Sequence, residues 1–179
     1  MKKLLFTLCF LIFAIVSFAQ ANTHIKFQAK LVAKGCIYNK VASATIPNGT
    51  RAFKGTFVGN KVDIFVYYDT KTKVVYRTKA VVSGVSKDIA EQEYSKVKNL
   101  LSQKYVSDFD DIFVGTQGGK ESVSFVSAND EGEINGLIDL FITQDEETWV
   151  RAPYNYNLHI DYNDRINTNN HENQQLDEI

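Results

Sequence analysis

The sequence predicts an α+β protein built from two tandem units, each a helix plus an antiparallel meander, with the helices packed on one face of the sheet. Three observations support this prediction. Residues 51–82 alternate polar and apolar side chains between turn signals, which is typical of a three-stranded meander. Residues 111–142 repeat the pattern at an offset of 60. The amphipathic stretch between them, residues 87–105, predicts a helix long enough to cover a sheet.

The two meander stretches match at six of 32 positions, where roughly two matches are expected at ordinary composition. The identical pairs are Phe53 with Phe113, Gly55 with Gly115, Thr56 with Thr116, Gly59 with Gly119, Phe65 with Phe125 and Val66 with Val126. The polar turns at 69–73 and 129–133 also coincide. We therefore expect one repeated unit, first over residues 22–84 and again over residues 85–165.

The N-terminus predicts export of the protein. A positively charged start precedes an apolar run over residues 4–18, and small residues follow at positions 19 and 21. This pattern is typical of a secretory signal peptide, here residues 1–21. A membrane anchor is the alternative, but the run is shorter than the roughly 20 residues of a span. We expect a secreted or periplasmic protein with one domain over residues 22–165, a polar tail over 166–179 and no membrane span after cleavage.

The first unit is predicted to begin with a short helix over residues 23–34. Phe27 and Leu31 share one face of that helix, and Gly35 provides a stop signal. The following elements are predicted to be a strand at 37–44, a turn at 47–49, a strand that begins at 51 and ends at the turn at 59–60, and strands at 61–68 and 74–82.

The second unit is predicted to begin with the helix at residues 87–105, for which Ser86 is a suitable N-cap. Strands are expected at 109–115, 123–128, 134–142 and 156–162. In the last strand, alternation turns Leu158, Ile160 and Tyr162 inward, and His159 and Asp161 onto an exposed outer face. The chain from residue 163 is polar, and we expect a frayed tail with at most a short helix at 172–176.

Charge is divided unevenly along the chain. Residues 22–107 carry 15 Lys and Arg against 5 Asp and Glu, a net charge of +10, and residues 108–179 carry 3 against 16, a net charge of −13. One interpretation is that the acidic half docks on the basic half, either within one chain or between chains of a homo-oligomer. The other is two solvated faces. Nucleic acid is not expected as a partner, because the acidic half would repel it.

Catalytic, metal-binding and cofactor signatures are not found. His24 lies near the start of the mature chain and His171 in the polar tail, so we expect no shared histidine site. His159 and Asp161 point the same way from one strand, which would allow a metal or acid–base pair, but a solvent-exposed strand face is the favoured interpretation. The glycine-rich residues 115–121 lack the spacing and the hydroxyl of a phosphate-binding loop. The acidic run at 129–133 is much shorter than a calcium-binding loop. We therefore predict no catalytic residue, no metal site and no cofactor.

Two groups of residues are candidate ligand-binding surfaces. Aromatic side chains with polar neighbours offer a large contact area together with hydrogen-bonding groups. The first group is Trp149, Arg151, Tyr154 and Tyr156, and the second, more basic group is Tyr67, Arg77 and Lys79. The alternative for the first group is structural, because Trp149 could close the core while the tyrosines flank a turn.

Several short stretches resemble a known group of proteins. They are Ile25-Lys26-Phe27, Lys30-Leu31, Lys34-Gly35-Cys36 and Phe53-Lys54-Gly55-Thr56-Phe57. With the signal peptide, they resemble small secreted Bacteroidetes-type proteins of unknown function whose tandem α-β-β-β units are similar to the β-lactamase-inhibitor-protein-like fold. The resemblance implies a binding role and brings no catalytic residues.

Three functions are compatible with these features. The leading hypothesis is a secreted, non-enzymatic binding or protein-interaction module whose partner is a protein or a glycan. The second is an envelope or glycan hydrolase that uses Asp and Glu of the second unit. The third is a structural protein that self-associates through its oppositely charged halves.

Overall fold

The structure is a computed structural model that describes residues 23–57, 60–105, 114–117, 120–128, 132–144 and 156–176. Its described helices are α1 (His24–Ala33), α2 (Lys40–Thr45), α3 (Lys87–Tyr105) and α4 (Arg165–Leu176). Its described strands are β1 (Ile37–Tyr38), β2 (Thr50–Phe57), β3 (Asn60–Tyr68), β4 (Val75–Val85), β5 (Val114–Gln117), β6 (Lys120–Ala128), β7 (Ile134–Gln144) and β8 (Tyr156–Asp164). The predicted signal peptide lies outside the described residues.

The strands form one antiparallel sheet in the order β1-β2-β3-β4-β8-β7-β6-β5, in which the outermost strand β1 has only two residues. The meander β2–β3–β4 occupies one side of the sheet and β5–β6–β7 the other, and β8 lies between them. Helices pack on this sheet, with α3 against β6, β7 and β8. The predicted α+β class with an antiparallel sheet is therefore confirmed.

One face of the sheet forms the hydrophobic core. A single row across five strands consists of Ile64, Ala80, Ile160, Leu140 and Val123, which are directly opposite one another in register. All five are at most 3% exposed. The side chains that the helices add to the core are Phe27 and Leu31 from α1, and Tyr94, Val97 and Leu101 from α3.

Helix α1 follows the sequence prediction closely. Its buried residues are Phe27 and Leu31, which is the predicted face. Gly35 has a φ of +85°, a conformation that glycine adopts without steric cost. The Cys36 backbone N–H donates to the Leu31 carbonyl at 3.0 Å, so the chain turns sharply at the predicted stop.

The predicted strand over residues 37–44 is wrong beyond its first two residues. The Asn39 side chain accepts a hydrogen bond from the Ala42 N–H at 3.2 Å, which caps the start of helix α2. The Ser43 hydroxyl accepts from the Ala52 N–H at 2.9 Å, so α2 attaches to strand β2. Side-chain capping by Asn39 therefore overrides the strand propensity of Val41.

The predicted helix at 87–105 and the predicted strands at 61–68, 74–82, 123–128, 134–142 and 156–162 are confirmed, with strand ends shifted by up to three residues. Strand β4 continues through Gly84, whose φ is +67°, with a bulge between Val82 and Val85. Of the predicted strand at 109–115, only Val114 and Gly115 fall within the described residues.

The expected frayed tail is wrong over most of its length, because residues 165–176 form helix α4. The Asp164 carboxylate accepts from the Asn167 N–H at 2.9 Å, as an N-cap does. The Asn167 side chain then donates to the Val75 carbonyl at 3.1 Å, and the Thr168 hydroxyl donates to the Tyr76 carbonyl at 3.4 Å. Polar contacts therefore dock α4 at the start of β4. No helix among the described residues is long and apolar enough to span a membrane.

Candidate functional site

The face of the sheet opposite the core carries polar and aromatic side chains that remain half-exposed. The register aligns Tyr67 with Arg77 on neighbouring strands, and Lys79 with Asp161 on the next pair. One row further along the strands, His159 lies opposite Phe141. We call this set the open-face cluster, and its members are Tyr67, Arg77, Lys79, Phe141, His159 and Asp161.

An ion pair between Arg77 and Asp161 lies at the centre of the cluster. The guanidinium donates two hydrogen bonds, from Nε to Oδ1 at 2.8 Å and from Nη2 to Oδ2. The side chain of Asp161 is 5% exposed and that of Arg77 is 39% exposed. The hydrogen bonds from Arg77 to Asp161 raise the pKa of the guanidinium, and burial opposes this effect only in part. The pair therefore presents a fixed positive group with its neutralising carboxylate beneath it.

Aromatic rings flank this ion pair on the Arg77 side. The guanidinium carbon lies 5.2 Å from the centroid of the Tyr67 ring, within the range of a cation–π contact. The ring of Tyr76 lies 6.5 Å from that of Tyr67. Burial raises the pKa of Tyr67, although Arg77 lowers it, so the phenol stays neutral and can donate a hydrogen bond.

A second aromatic group lies on the other side of Asp161. The rings of Phe141 and His159 stack with centroids 4.7 Å apart, and the Lys79 ammonium is 5.8 Å from the Phe141 centroid. The Thr143 hydroxyl lies 2.7 Å from the His159 Nε2 and holds the imidazole in place. Burial lowers the pKa of Lys79, and Asp161 partly offsets this effect.

Two carboxylates of the open face lie directly opposite each other, Asp139 on β7 and Asp161 on β8. Each has its own donor: the Ser124 hydroxyl donates to Asp139 Oδ1 at 2.6 Å, and Arg77 donates to Asp161. Among the described residues, no group of three or more His, Cys, Asp or Glu could hold a metal ion. The cluster therefore offers flat rings, one guanidinium and oriented hydrogen-bonding groups, which suit the recognition of a ligand.

The predicted site residues separate into three sets. Tyr67, Arg77 and Lys79 come together in the open-face cluster, and their ligand-binding role stays a prediction. Tyr156 lies at the end of β8 beside α3, in a groove that it lines with Tyr94 and Ile142, so it is not part of the cluster. Trp149, Arg151 and Tyr154 lie outside the described residues.

Two features of the site differ from the sequence-based expectation. Asp161 does lie on the outer face, but its side chain is 5% exposed and not solvated, because Arg77 covers it. The predicted basic surface is therefore partly neutralised. Phe141 and Asp161 were not predicted as site residues, since 84 residues separate Asp161 from Arg77 and only the pairing of β4 with β8 joins them.

A second polar site lies between α4 and the β3–β4 turn. It borders a half-open cavity of about 300 Å³ lined by Asp69, Thr72, Val74, Asn167, Asn170, His171, Asn173 and Gln174. The His171 Nδ1 lies 2.7 Å from Asp69 Oδ2, and its ring stacks on Tyr76 with centroids 4.3 Å apart. These contacts attach α4 to the β3–β4 hairpin, so the main role of this site is structural.

Comparison of the chain with protein-family models, with curated proteins and with solved structures gave no match.

Proposed function

We propose that this protein is a secreted, non-enzymatic binding module that holds a protein partner on the open-face cluster. This proposal rests mainly on one observation, the fixed arrangement on four adjacent strands of Tyr67, Arg77, Phe141 and His159. Tyrosine and arginine are enriched in the residues that dominate binding energy at protein interfaces. A half-exposed sheet face with such side chains has the composition of an interface.

Preorganisation supports the same function. The guanidinium of Arg77 is held by Asp161, and the imidazole of His159 is stacked on Phe141 and held by Thr143. Side chains that are already ordered lose little conformational entropy when a partner binds. Strands also hold a binding surface more rigidly than loops do. The cluster can therefore give affinity without rearrangement of the backbone.

We further propose that the two meanders are tandem units that build this surface together. Strands β3 and β6 begin at residues 60 and 120, and β4 and β7 at residues 75 and 134, close to the offset of the sequence repeat. The two meanders lie on either side of β8. A partner that spans the cluster would contact side chains of both units.

Partner capture by matched variants tests the binding proposal. Tyr67→Ala with Phe141→Ala should reduce capture of a specific partner from the secreted and envelope proteins of the producing cell. Ile89→Ala with Ile166→Ala removes two other exposed side chains and should leave capture unchanged. Thermal unfolding of both pairs checks that the fold persists. Equal capture by the two double variants would show that the open-face cluster is not the binding site. Binding to a glycan array that is lost in Tyr67→Ala with Phe141→Ala would show that the partner is a glycan and not a protein.

A hydrolase remains the second candidate function because Asp139 and Asp161 face each other across neighbouring strands. Glycosidases use two such carboxylates, one of which acts as a proton donor. Here each carboxylate is already engaged by its own donor, Ser124 or Arg77, which suits a binding surface better than acid catalysis. Hydrolysis of envelope glycans that is lost in Asp139→Asn would support the enzyme over the binding module.

Self-association through the charged halves is the third candidate. The Arg77–Asp161 pair joins a residue of the basic half to one of the acidic half within one chain. We therefore expect light scattering to give one molar mass at low and at high salt. An oligomer that dissociates as salt is raised would favour the self-associating protein, since screening weakens contacts between exposed charges.

A further inference from the structure

Helix α4 turns a polar face toward the β3–β4 turn. Asn167, Asn170, His171 and Gln174 follow one another at helical spacing, so their side chains share one face of the helix. They line the half-open cavity of about 300 Å³ beside that turn, which we call the α4 cavity. A surface helix ordinarily packs apolar residues on such a face. Here Val74 is the one apolar residue among the eight described lining residues.

The attachment of α4 does not account for all of the amide side chains in the cavity. Two lining residues of the helix, Asn167 and His171, make bonds that dock it on the sheet. Asn170, Asn173 and Gln174 line the same cavity without contributing to these bonds. Asparagine is also a poor helix former, so helix propensity does not explain Asn170 and Asn173. These three amides therefore have a role other than holding the helix.

Gln174 has a buried atom that lacks a partner. Its side-chain Oε1 is shielded from solvent, and no described residue donates a hydrogen bond to it. A buried acceptor without a donor destabilises the folded chain, because the same atom is hydrogen-bonded to water in the unfolded chain. Gln174 lines the α4 cavity. The position therefore suits contact with a hydrogen-bond donor of a ligand in that cavity.

The α4 cavity is suited to a neutral ligand. Asp69 is the one acidic side chain among the described lining residues, and both of its oxygens are engaged. Oδ1 accepts from the Lys71 N–H at 2.9 Å and the Thr72 N–H at 2.6 Å, and Oδ2 lies 2.7 Å from the His171 Nδ1. A calcium ion takes several oxygen ligands and would have to displace these donors. Amide groups instead donate and accept hydrogen bonds at the same time.

We propose that the α4 cavity binds a single sugar ring or a related cyclic polyol. Each hydroxyl of such a ligand can donate one hydrogen bond and accept another, which matches the amides of Asn170, Asn173 and Gln174. One hydroxyl donates to the buried Oε1 of Gln174, and Val74 contacts the C–H groups of the ring. The volume lies at the lower end of the roughly 300–1,000 Å³ of ligand pockets, which suits one small ring.

Titration followed by nuclear magnetic resonance tests the proposal with defined probes. Glucose, galactose, mannose, N-acetylglucosamine and myo-inositol are added in turn to the processed chain, after cleavage of the predicted signal peptide. We expect at least one of them to shift the side-chain amide signals of Asn170, Asn173 and Gln174, with a dissociation constant on the order of 1 mM. Tetrahydropyran, a ring of the same size without hydroxyl groups, should cause no shift.

Matched variants separate binding by the cavity from its structural role. Asn170→Ala with Gln174→Met should weaken polyol binding about tenfold, because two hydrogen-bonding groups are lost. Asn169→Ala, which removes an exposed amide of α4 outside the cavity, should bind as the parent chain does. Gln174→Met alone should not lower the melting temperature, since it removes a buried acceptor that has no donor in the fold.

Four results would overturn the proposal. They are no shift with any of the polyols, equal shifts with tetrahydropyran, equal losses of affinity in Asn169→Ala and the cavity variant, and a melting temperature lowered by Gln174→Met. The inference does not rest on the proposed binding of a protein partner. Tyr67→Ala with Phe141→Ala should leave the polyol titration unchanged, so failure of one proposal is distinguishable from failure of the other.

Discussion

Arg77 and Asp161 are the two residues on which the candidate site depends most. The carboxylate is almost fully buried, and the guanidinium that neutralises it is partly exposed. Removal of one partner from a buried pair is costly because it leaves an uncompensated charge. Arg77 therefore stabilises the fold and also provides a side chain that a partner can contact. Substitution of Arg77 is expected to affect both stability and binding.

A double-mutant comparison separates these roles. Arg77→Ala should lower the free energy of unfolding by about 2–3 kcal/mol, because Asp161 loses both hydrogen bonds. Asp161→Asn in the Arg77→Ala background should recover part of that loss, since a neutral amide is less costly to bury unpaired. Urea denaturation measures both changes. Lys61→Ala, at an exposed position of β3, should stay within about 0.5 kcal/mol. An Arg77→Ala protein as stable as Lys61→Ala would contradict the described ion pair.

Gly136 on β7 gives a second residue-scale prediction. A Cβ at this position would lie 2.7 Å from Cε2 and 2.8 Å from the hydroxyl oxygen of Tyr162, whose ring is 1% exposed and cannot move aside. Gly136→Ala should therefore destabilise the protein by roughly 1–3 kcal/mol through overpacking. Ser127→Ala, at the cross-strand partner of Gly136, is the control for chemical denaturation and should be nearly neutral. Equal stability of the two variants would show that Tyr162 is not packed there.

At the scale of elements, α4 shows how a polar segment becomes ordered. Its residues give little apolar burial, so its sequence alone resembles a tail. Its docking depends on Asn167, Thr168 and His171, which bond to β4 and to Asp69. Those partners lie about 90 to 100 residues away in the chain. Local sequence analysis does not include such long-range hydrogen bonds, which explains why the tail prediction was wrong.

The pH dependence of stability tests the attachment of α4. Burial alone would raise the pKa of Asp69, but hydrogen bonds from the Thr72 N–H, from His171, from the Thr72 hydroxyl and from the Lys71 N–H lower it to about 2, from 3.8. A carboxyl group with a lowered pKa in the folded state stabilises the fold above its unfolded pKa. This stabilisation should therefore be complete above about pH 4 and be lost as the pH falls towards 2.

Urea titrations between pH 5 and pH 2 measure this loss in the parent chain and in Asp69→Asn. The parent should lose stability more steeply, because it has the Asp69 carboxyl group, which takes up a proton in that window and which the variant lacks, while the other carboxyl groups titrate in both proteins. Glu172→Gln, at an exposed position on α4, is the matched acidic control and should follow the parent. Parallel curves for the parent and Asp69→Asn would contradict the role given to Asp69.

At the scale of the whole molecule, local patterns predicted most strands because alternation follows directly from a sheet with one buried face. The inward set Leu158, Ile160 and Tyr162 is confirmed. The strand order could not be predicted, since nothing local places β8 between β4 and β7. The open-face cluster depends on that order. Tyr67, Arg77 and Lys79 were therefore identified as a group, but Asp161, Phe141 and His159 were not joined to them.

The order of the strands shows where the basic and acidic halves of the sequence meet. The last strand of the basic meander, β4, pairs with β8 from the acidic half, and Arg77 and Lys79 face Asn163 and Asp161 across this junction. Oppositely charged residues therefore meet inside the chain at the middle of the sheet. The open-face cluster lies across the same junction, so a bound partner would contact the first and the second half of the sequence together.

Site-specific photo-crosslinking in the producing cell tests the central claim most directly. A photoreactive amino acid replaces Phe65, which is half-exposed on the open face, or Gln92, which is exposed on α3. If a protein partner binds the open face, position 65 should give one adduct of defined mass, and position 92 should give none. Tyr67→Ala with Phe141→Ala should abolish that adduct. Adducts of the same mass from both positions, or none from position 65, would contradict the proposed binding surface.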